Sequence, residues 1–440
     1  MRKPILLFLA LLFAVPLMSQ TAADAVQTFS LQNGMNVVVL EDHSIPNATM
    51  QFYWKVGSRN EVPGITGLSH FFEHMMFNGA KKYGPKEFDR VMEAGGGSNN
   101  AFTSEDMTAY LDWFPSNAME VMFDLEADRI GHLALVDSMV ESERGVVLSE
   151  WTTRRENSNY SLLEEQVRSS AFTAHPYRWS VIGYESDIRN WTINDLQWYF
   201  ETYYAPNNAV VVVVGDVTVD EVRLLCRSHF ESIPPHAPPR PIHTVEPEQM
   251  GEKRVWVEKD VSSPNVMVAY HAPKAQSDDF HAVMLLSALL SEGQSSRLYN
   301  ALVDNKQLAV QVLSSFSEAF DPTLLVVYAV CAEGVHEDSL LKAYDAEIAD
   351  LVHRPVSEDE LQKVKNRKRV DLYRYMATID GKAQLLGSSA LFYGDPRIAF
   401  STPEAYERVT VQDVQRVAVK YLTISNRTVG VLKKKMEEHP

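Results

Sequence analysis

The chain has 440 residues, of which 45% are hydrophobic and 22% are charged, and its formal net charge is −17 at pH 7. This length accommodates two domains of roughly 200 residues each, and the composition is that of a globular protein, which excludes a disordered chain and a membrane bundle. The negative charge argues against nucleic acid as a partner, because binding to phosphates needs a basic surface.

Residues 1–25 have the pattern of a secretory signal peptide. Two basic residues, Arg2 and Lys3, precede the apolar run 5–18, and small residues follow up to Ala25. A membrane anchor is the alternative, but this run is shorter than the ~20 residues that a spanning helix needs, and no later segment qualifies. We therefore expect export across the inner membrane, a periplasmic location and a mature chain without a transmembrane span.

Strands open the chain after this segment. Asn33-Gly34 lies between the apolar runs 28–31 and 35–40, which is typical of a β-hairpin. Pro85 begins a helix that ends before Gly95, and Thr218-x-x-Glu221 and Ser357-x-x-Glu360 predict capping boxes at two later helices. Content of β-branched and aromatic residues predicts further strands at 47–56, 99–104, 108–114, 209–214, 265–271, 323–331 and 427–432.

A proline-rich stretch begins at Pro234 and divides the mature chain nearly in half. Such a sequence cannot continue a helix or pair in a central strand, so we predict a linker at 234–252 between domains at 26–233 and 253–440. The two halves also match in one constant register: 42–47 matches 260–265, and Thr192, Asp195, Gln197, Tyr203 and Asn208 match Thr410, Asp413, Gln415, Tyr421 and Asn426. This repeat register, shared by both ends of the two segments, predicts a duplicated domain.

These patterns define the expected fold. Strands and helices interleave without strict βαβ alternation, so we predict an α+β protein with two homologous domains, each a mostly antiparallel sheet packed with helices. The only cysteines, Cys226 and Cys331, form no C-x-x-C pair. They offer neither a disulfide framework nor a thiolate zinc site, and we expect two buried, small apolar side chains.

The segment His70-Phe71-Phe72-Glu73-His74 carries the chemistry. On a helix, residues four apart share a face, so the imidazoles of His70 and His74 can converge on one ion, with Glu73 beside that ion's water. A chance cluster of polar residues on an ordinary helix is the alternative.

A catalytic zinc site needs a third protein ligand. The best candidates are Glu143 and Glu150, which lie two helical turns apart on one face, so that one could bind the metal while the other orients a ligand histidine. A solvated, charged helix face is the alternative.

H-x-x-E-H is the inverted zinc motif, and this sequence resembles the pitrilysin/insulinase family of metallopeptidases, which includes mitochondrial processing peptidase. The resemblance extends over the whole mature chain and rests on the segments 67–74, 143–150, 175–177 and 204–208. It implies that Glu150 is the third ligand of one Zn²⁺ ion per chain, and that Glu143 acts behind the ligand histidine.

The resemblance also implies a substrate-binding edge strand at Asn100, Ala101, Phe102 and Thr103. An unpaired sheet edge is a template for an extended peptide, because it offers backbone hydrogen bonds and reads few side chains. An ordinary strand after a glycine turn is the alternative.

The second half lacks the metal motif, because the positions that match His70, Glu73 and His74 in the repeat register hold Ala288, Ser291 and Glu292. In the resembled family, the metal-free copy closes over the substrate and donates an Arg and, seven residues later, a Tyr. The corresponding positions here are Val303 and Val310, while Arg297 and Tyr299 have the wrong spacing and are interpreted as structural.

We therefore predict a metalloendopeptidase that uses Glu73 as its base and forms a heterodimer with a homologous, Arg/Tyr-bearing subunit. The main alternative is a non-catalytic assembly or chaperone-like subunit of a larger complex, but such subunits tend to lose metal ligands. A hydrolase of small molecules fits the predicted edge strand poorly. A purely structural zinc ion normally has four ligands, which usually include cysteine.

Overall fold

The computed structural model describes residues 22–435. The predicted signal peptide, 1–25, lies outside the described residues except for its last four, which form the short helix α1 (Ala22–Ala25). Among the described residues, no helix combines the length and the apolar character needed to cross a membrane.

The first half of the chain is built on a six-stranded sheet. Its spatial order is β1-β2-β6-β3-β5-β4, and every neighbouring pair is antiparallel except β2 with β6. The predicted hairpin joins β1 to β2 through Gly34, whose φ of 85° suits glycine. The strands are β1 (Gln27–Ser30), β2 (Asn36–Glu41), β3 (Asn47–Trp54), β4 (Ser98–Thr103), β5 (Thr108–Pro115) and β6 (Ala209–Gly215).

The helices of this half are α2 (Leu68–Met75), α3 (Glu87–Ala94), α4 (Met119–His132), α5 (Asp137–Asn157), α6 (Asn159–Ala171), α7 (Glu185–Asn190), α8 (Ile193–Tyr203) and α9 (Val219–His229). Thr218 caps α9 by accepting a hydrogen bond from the backbone N–H of Glu221. A full capping box, with hydrogen bonds in both directions, is seen at Thr192 and Asp195 before α8.

The second half repeats this plan with five strands in the order β7-β11-β8-β10-β9, of which only β7 and β11 are parallel neighbours. Its strands are β7 (Lys253–Glu258), β8 (Asn265–Ala272), β9 (Ala309–Ser315), β10 (Thr323–Cys331) and β11 (Arg427–Lys433). Its helices are α10 (Phe280–Ser291), a π-helical segment (Tyr299–Asn305), α11 (Glu337–His353), α12 (Glu358–Tyr375), α13 (Ile379–Tyr393), α14 (Ile398–Arg408) and α15 (Val411–Tyr421).

The repeat register found in the sequence recurs in the structure. It relates the first residues of β3 and β8, and both ends of α8 and α15 and of β6 and β11. The predicted α+β fold with two mostly antiparallel, helix-covered sheets is therefore confirmed. Residues 234–252 contain no helix or strand, while their role as a linker and the domain boundaries stay predictions.

One helix from each half packs on the sheet of the other half. Helix α13 packs on β3 and β6, and α6 packs on β7, β8 and β11. A Cβ atom on Gly387 of α13 would lie 2.1 Å from the ring of Tyr53, and one on Gly430 of β11 would lie 2.3 Å from Val167 of α6. The two halves therefore share buried surfaces that depend on glycine for close approach.

The first sheet has two differently covered faces. Met50, Phe52 and Trp54 of β3 belong to the core on one side, whereas Tyr53 packs with α13 on the other. The apolar residues of α2 join the first core, so α2 lies on the face opposite α13.

The two cysteines are free and buried, as predicted.

Candidate metal centre

The N-terminus of α2 is fixed by two buried residues. Gly67 precedes the helix with φ 88°, and a Cβ atom there would lie 2.4 Å from the carbonyl oxygen of Ile182. The carboxylate of Glu61 accepts hydrogen bonds from the backbone N–H groups of Gly67 (2.7 Å) and Ser69 (2.8 Å). Burial raises the pKa of Glu61 to about 8, although these hydrogen bonds act in the opposite direction.

Two helices bring the three predicted metal ligands together. His70 and His74 lie one turn apart on α2, with ring centroids separated by 4.8 Å. Glu150 of α5 approaches both, because its Oε2 lies 3.5 Å from Nε2 of His70 and 3.4 Å from Nε2 of His74. These residues are the one group of three or more candidate ligands that converge within the described part of the chain, with all ligand atoms within 4.8 Å of one another.

The spacing of these atoms suits a tetrahedral cation. Ligand atoms about 2.1 Å from a tetrahedral metal lie about 3.4 Å apart, close to both observed separations between nitrogen and oxygen. Two imidazoles and one carboxylate are also a ligand set that suits zinc and leaves one position open. His70 is buried, while His74 and Glu150 are half-buried, so the open position can face solvent or substrate.

Glu143, the earlier acid on α5, lies behind His74. Its Oε1 accepts a hydrogen bond of 2.8 Å from Nδ1 of His74, and its Oε2 accepts one of 2.7 Å from the side-chain amide of Asn78. Burial lowers the pKa of His74, but its hydrogen bonds to Glu143 and Glu150 outweigh burial and raise that pKa to about 9. This arrangement directs Nε2 of His74 toward Glu150 and sets the ring orientation that a metal ligand needs.

Glu73 occupies the same turn of α2 as the two histidines, and its contacts differ from theirs. Its Oε2 accepts a hydrogen bond of 2.6 Å from the hydroxyl of Thr103 on β4. Burial raises the pKa of Glu73, while the Thr103 hydrogen bond and the charge of His74 lower it. A carboxylate in this environment is suited to accept and return a proton.

The predicted substrate strand lies at an edge of its sheet. β4 pairs with β5 on one side and is the last strand in the order. Asn100 is exposed, Ala101 packs toward the core that contains α2, and Phe102 packs toward α13. An open groove joins this strand to one of the candidate metal ligands, His74, and is lined by Glu73, His74, Phe77, Asn78, Glu143 and the segment 99–101.

The sequence did not identify three side chains that hold the carboxylates of this site, namely those of Asn78, Arg154 and Thr103. Arg154 donates hydrogen bonds of 2.8 and 2.6 Å to Oε1 of Glu150, the oxygen that faces away from the histidines. Asn78 and Arg154 each lie four residues after a candidate ligand, a spacing that places side chains on one helix face. Together with Thr103, they hold one oxygen of each of the three acids.

The second half carries no Arg/Tyr pair at the expected positions. Val303 lies in the π-helical segment, and Val310 lies on β9, where it is 63% exposed. Arg297 donates two hydrogen bonds, of 2.7 and 2.9 Å, to the carboxylate of Glu360. This contact within the second half agrees with the structural interpretation of Arg297.

The chain matches models of known protein families and a relative of known name. The family described as "Insulinase (Peptidase family M16)" matches residues 36–184, and the family described as "Peptidase M16 inactive domain" matches residues 190–368. A protein named "Zinc protease PqqE" from Helicobacter pylori is 32% identical over 414 residues, which are 92% of this chain and 92% of that protein.

Solved structures show the same architecture. The crystal structure of a protease from Helicobacter pylori aligns with a TM-score of 0.88 and 32% identity, over 93% of this chain and 99% of that one. A Pseudomonas fluorescens structure described as a peptidase M16 inactive domain aligns with a TM-score of 0.86 over 94% of this chain and 100% of that one. At 17% identity, this second likeness shows the fold alone.

Proposed function

This chain belongs to the insulinase family of peptidases, M16, and from that premise we propose that it is the zinc-bearing subunit of a secreted endopeptidase. The proposed ligands are His70, His74 and Glu150, and the proposed general base is Glu73. The observation that carries the proposal is the convergence of two imidazoles and one carboxylate at 3.4 to 3.5 Å, with a fourth side chain, Glu73, on the same helical turn.

Zinc is supported by the ligand set and by the name of the Helicobacter pylori relative. When bound, one zinc ion per chain would lower the pKa of a water molecule toward ~7 and polarise the scissile carbonyl. The chain must then hold three ligands, keep one position open and supply a proton acceptor. His70 and His74 contribute neutral imidazoles, and Glu150 contributes the charge.

Glu73 is the proposed proton carrier. Its carboxylate takes the proton of the attacking water and delivers it to the nitrogen of the leaving amine, so that the base is regenerated in each cycle. Burial raises the pKa of Glu73, so its carboxylate accepts the proton of the attacking water more readily than an exposed glutamate would. Glu143 fixes the ring of His74 through its hydrogen bond of 2.8 Å and takes no part in proton transfer.

The proposed substrate is an extended peptide or a small unfolded protein. The free edge of β4, from Asn100 to Thr103, can add a peptide as a further antiparallel strand through backbone hydrogen bonds. The groove beside β4 includes Glu73 and His74. A peptide paired with this edge would therefore lie close to the proposed base and metal.

We propose that a second, homologous subunit completes the site. The side chains of Val303 and Val310 cannot donate the hydrogen bonds that would hold a substrate and stabilise a tetrahedral oxyanion, whereas those of an Arg and a Tyr can. A homodimer of this chain would still lack the pair at these positions. The signal-peptide pattern of residues 1–25 supports export and a periplasmic site of action.

The test is cleavage of a quenched peptide library by this chain, alone and mixed with Arg/Tyr-bearing homologues encoded by neighbouring genes. We expect strong activity only in a mixture. Glu73→Gln should keep the zinc content and lower kcat by about 10²- to 10⁴-fold, because it removes only the proton acceptor. Glu93→Gln, at an exposed position on α3, is the matched control and should leave kcat unchanged.

Two results would change the proposal. Full activity of the Glu73→Gln variant would remove Glu73 from its role, and strong activity of the chain alone would remove the need for a partner. The alternative is a non-catalytic assembly or chaperone-like subunit, which the match of residues 190–368 to an inactive-domain family leaves open. Absence of cleavage with every candidate partner, despite bound zinc, would support that alternative.

A further inference from the structure

The hydroxyl of Thr103 forms a hydrogen bond that connects the proposed substrate strand to the proposed base. Thr103 is the last residue of β4, and its Oγ1 lies 2.6 Å from Oε2 of Glu73 on α2. Within residues 22–435, this is the one hydrogen bond that the Glu73 carboxylate accepts. Glu150 and Glu143 are held differently, because each also contacts a histidine.

We propose that Thr103 is a positioning residue that fixes the carboxylate of Glu73 from the strand on which the peptide binds. This inference rests on the proposed function, in which Glu73 is the base. It extends the role expected of Thr103 from backbone pairing with substrate to alignment of the group that moves the proton.

The strand and the helix are joined firmly enough for such a role. β4 and β5 pair from Ser98–Trp113 to Thr103–Thr108, so the position of Thr103 is fixed by the sheet. Tyr110 of β5 donates a hydrogen bond of 2.9 Å to the carbonyl oxygen of Phe72, the residue before Glu73. The sheet therefore holds α2 at two adjacent residues, once through backbone and once through the Glu73 side chain.

The turn that follows Thr103 is supported by the second half of the chain. Ser104 donates its backbone N–H to the carbonyl oxygen of Met107, which closes the turn. Asp106 in this turn accepts hydrogen bonds from the hydroxyl of Tyr177 (2.7 Å) and from the backbone N–H of Phe320 (3.0 Å). The end of β4 is thus held between the two halves, which limits movement of Thr103.

The physical consequence concerns the two oxygens of Glu73. With Oε2 held by Thr103, the carboxylate cannot rotate freely, and Oε1 keeps a constant direction. A loose carboxylate on this turn could instead move onto the metal and occupy its open position. A misplaced catalytic group costs rate even when the fold is intact, by up to about 100-fold for an error of ~1 Å.

The test uses the active two-subunit enzyme and three variants of this chain. Thr103→Val keeps the shape of the side chain and removes the hydroxyl, so kcat should fall about 10- to 100-fold with KM nearly unchanged. Thr103→Ser restores a hydroxyl and should recover most of kcat. Thr108→Val is the matched control: it removes the neighbouring hydroxyl, which donates to the carbonyl oxygen of Val56 (3.0 Å), and should leave kcat unchanged.

Zinc binding and the zinc-free structure supply readouts that do not depend on activity. If Thr103 positions Glu73, zinc affinity of Thr103→Val should equal or exceed that of the unmodified chain, because the ligands stay in place and Glu73 becomes free to coordinate. A crystal structure of zinc-free Thr103→Val should show the Glu73 carboxylate displaced. Weaker zinc binding, or an unmoved Glu73 carboxylate, would overturn the inference.

Failure of the inference differs from failure of the proposed function. If Glu73→Gln is inactive and Thr103→Val has normal kcat, Thr103 does not position the base, and the peptidase assignment stands. If Glu73→Gln is fully active, the role of Glu73 as base is wrong, and the inference fails with it. If Thr103→Ser is as impaired as Thr103→Val, the side chain acts through packing, and the inference is also wrong.

Discussion

The two halves of this chain place equivalent helices side by side, and the residues at the meeting point differ. Helices α2 and α5 meet through His74 and Glu150. At the matching positions of the repeat register, α10 ends at Ser291 and is followed by Glu292, which forms an ion pair with Lys368 of α12. The second half thus joins the equivalent two helices through an ion pair between side chains.

The remaining equivalent positions follow the same rule. Ala288 and Leu361, both buried and apolar, replace His70 and Glu143. Ser291 replaces Glu73, and its hydroxyl lies 2.6 Å from that of Ser314 on the edge strand β9. The second half therefore keeps the contact between helix and edge strand, and among the five equivalent positions only Glu292 retains a possible metal ligand, which is paired with Lys368.

Both junctions between these helices attract a positive charge. In the second half, the ammonium group of Lys368 supplies that charge. In the first half, Glu143 and Glu150 surround His74 and raise its pKa to about 9 although burial acts against them, so a proton or a divalent cation must supply it. The duplicated fold provides the geometry, and one residue on each helix decides which positive charge can occupy the junction.

The largest expected effect comes from giving the first half the charge of the second. Glu150→Lys replaces the proposed carboxylate ligand by an ammonium group beside two imidazoles, so zinc affinity should fall by more than about 100-fold, beyond the loss typical of residues behind the ligands. Competition with a chromophoric chelator measures this affinity. The control is Lys368→Gln, which should leave zinc affinity unchanged and lower the free energy of unfolding by about 1 kcal/mol. Equal loss of zinc in both variants would contradict the comparison.

A smaller effect should follow from removing the anchor of Glu150. Arg154→Ala frees Oε1 of Glu150, so the carboxylate loses its fixed direction, and zinc affinity should fall about 10- to 100-fold. Arg189→Ala is the matched control, because Arg189 pairs with Glu185 at the same spacing of four residues on an exposed helix. That surface pair should contribute less than about 1 kcal/mol to stability and nothing to zinc binding. Unchanged zinc affinity in Arg154→Ala would show that Glu150 needs no anchor.

Much of this geometry was predictable from the sequence. The H-x-x-E-H spacing places His70 and His74 on one helix face, and the glycine turn before the segment 99–104 marks the start of a strand. The constant repeat register also predicted that the second half repeats the fold, and the element boundaries agree with it. These features depend on local periodicity or on a register that is visible in the chain itself.

Other contacts were not predictable, for physical reasons. Thr103 and Glu73 are 30 residues apart on different elements, and their contact depends on how a sheet edge packs against α2. Glu–Arg pairs spaced by four residues occur elsewhere on this chain, as Glu185 and Arg189 show, so the spacing does not single out Arg154. The packing of α13 on the first sheet depends on tertiary structure that no local pattern encodes.

The smallest expected effect, counted per pH unit, is a dependence of zinc affinity on pH. It distinguishes the two halves, because His74 must lose a proton before it can bind a metal, whereas the charge of Lys368 stays in place. In the zinc-free chain, burial lowers the pKa of His74, but hydrogen bonds to Glu143 and Glu150 outweigh it and raise that pKa from 6.5 to about 9. Burial lowers the pKa of His70 to about 4. At pH 7, therefore, His74 carries a proton and His70 does not.

Zinc must displace that proton, so its affinity should rise about tenfold per pH unit between about pH 5 and pH 9 and level off above. The same proton stabilises the zinc-free fold fully below pH 6.5, and this contribution is lost as the pH rises through about 9, because the pKa is higher in the folded chain. Calorimetry in buffers of different ionisation enthalpy should therefore detect about one proton released per zinc ion at pH 7.5.

Glu143→Gln removes a hydrogen-bonded charge and lowers the pKa of His74, so zinc affinity should stop rising at a lower pH than in the unmodified chain. Zinc binding without proton release at pH 7.5 would show that the ion does not replace a proton on His74. The proposed difference between the first half, where zinc replaces a proton, and the second half, where Lys368 carries the charge, would then be wrong.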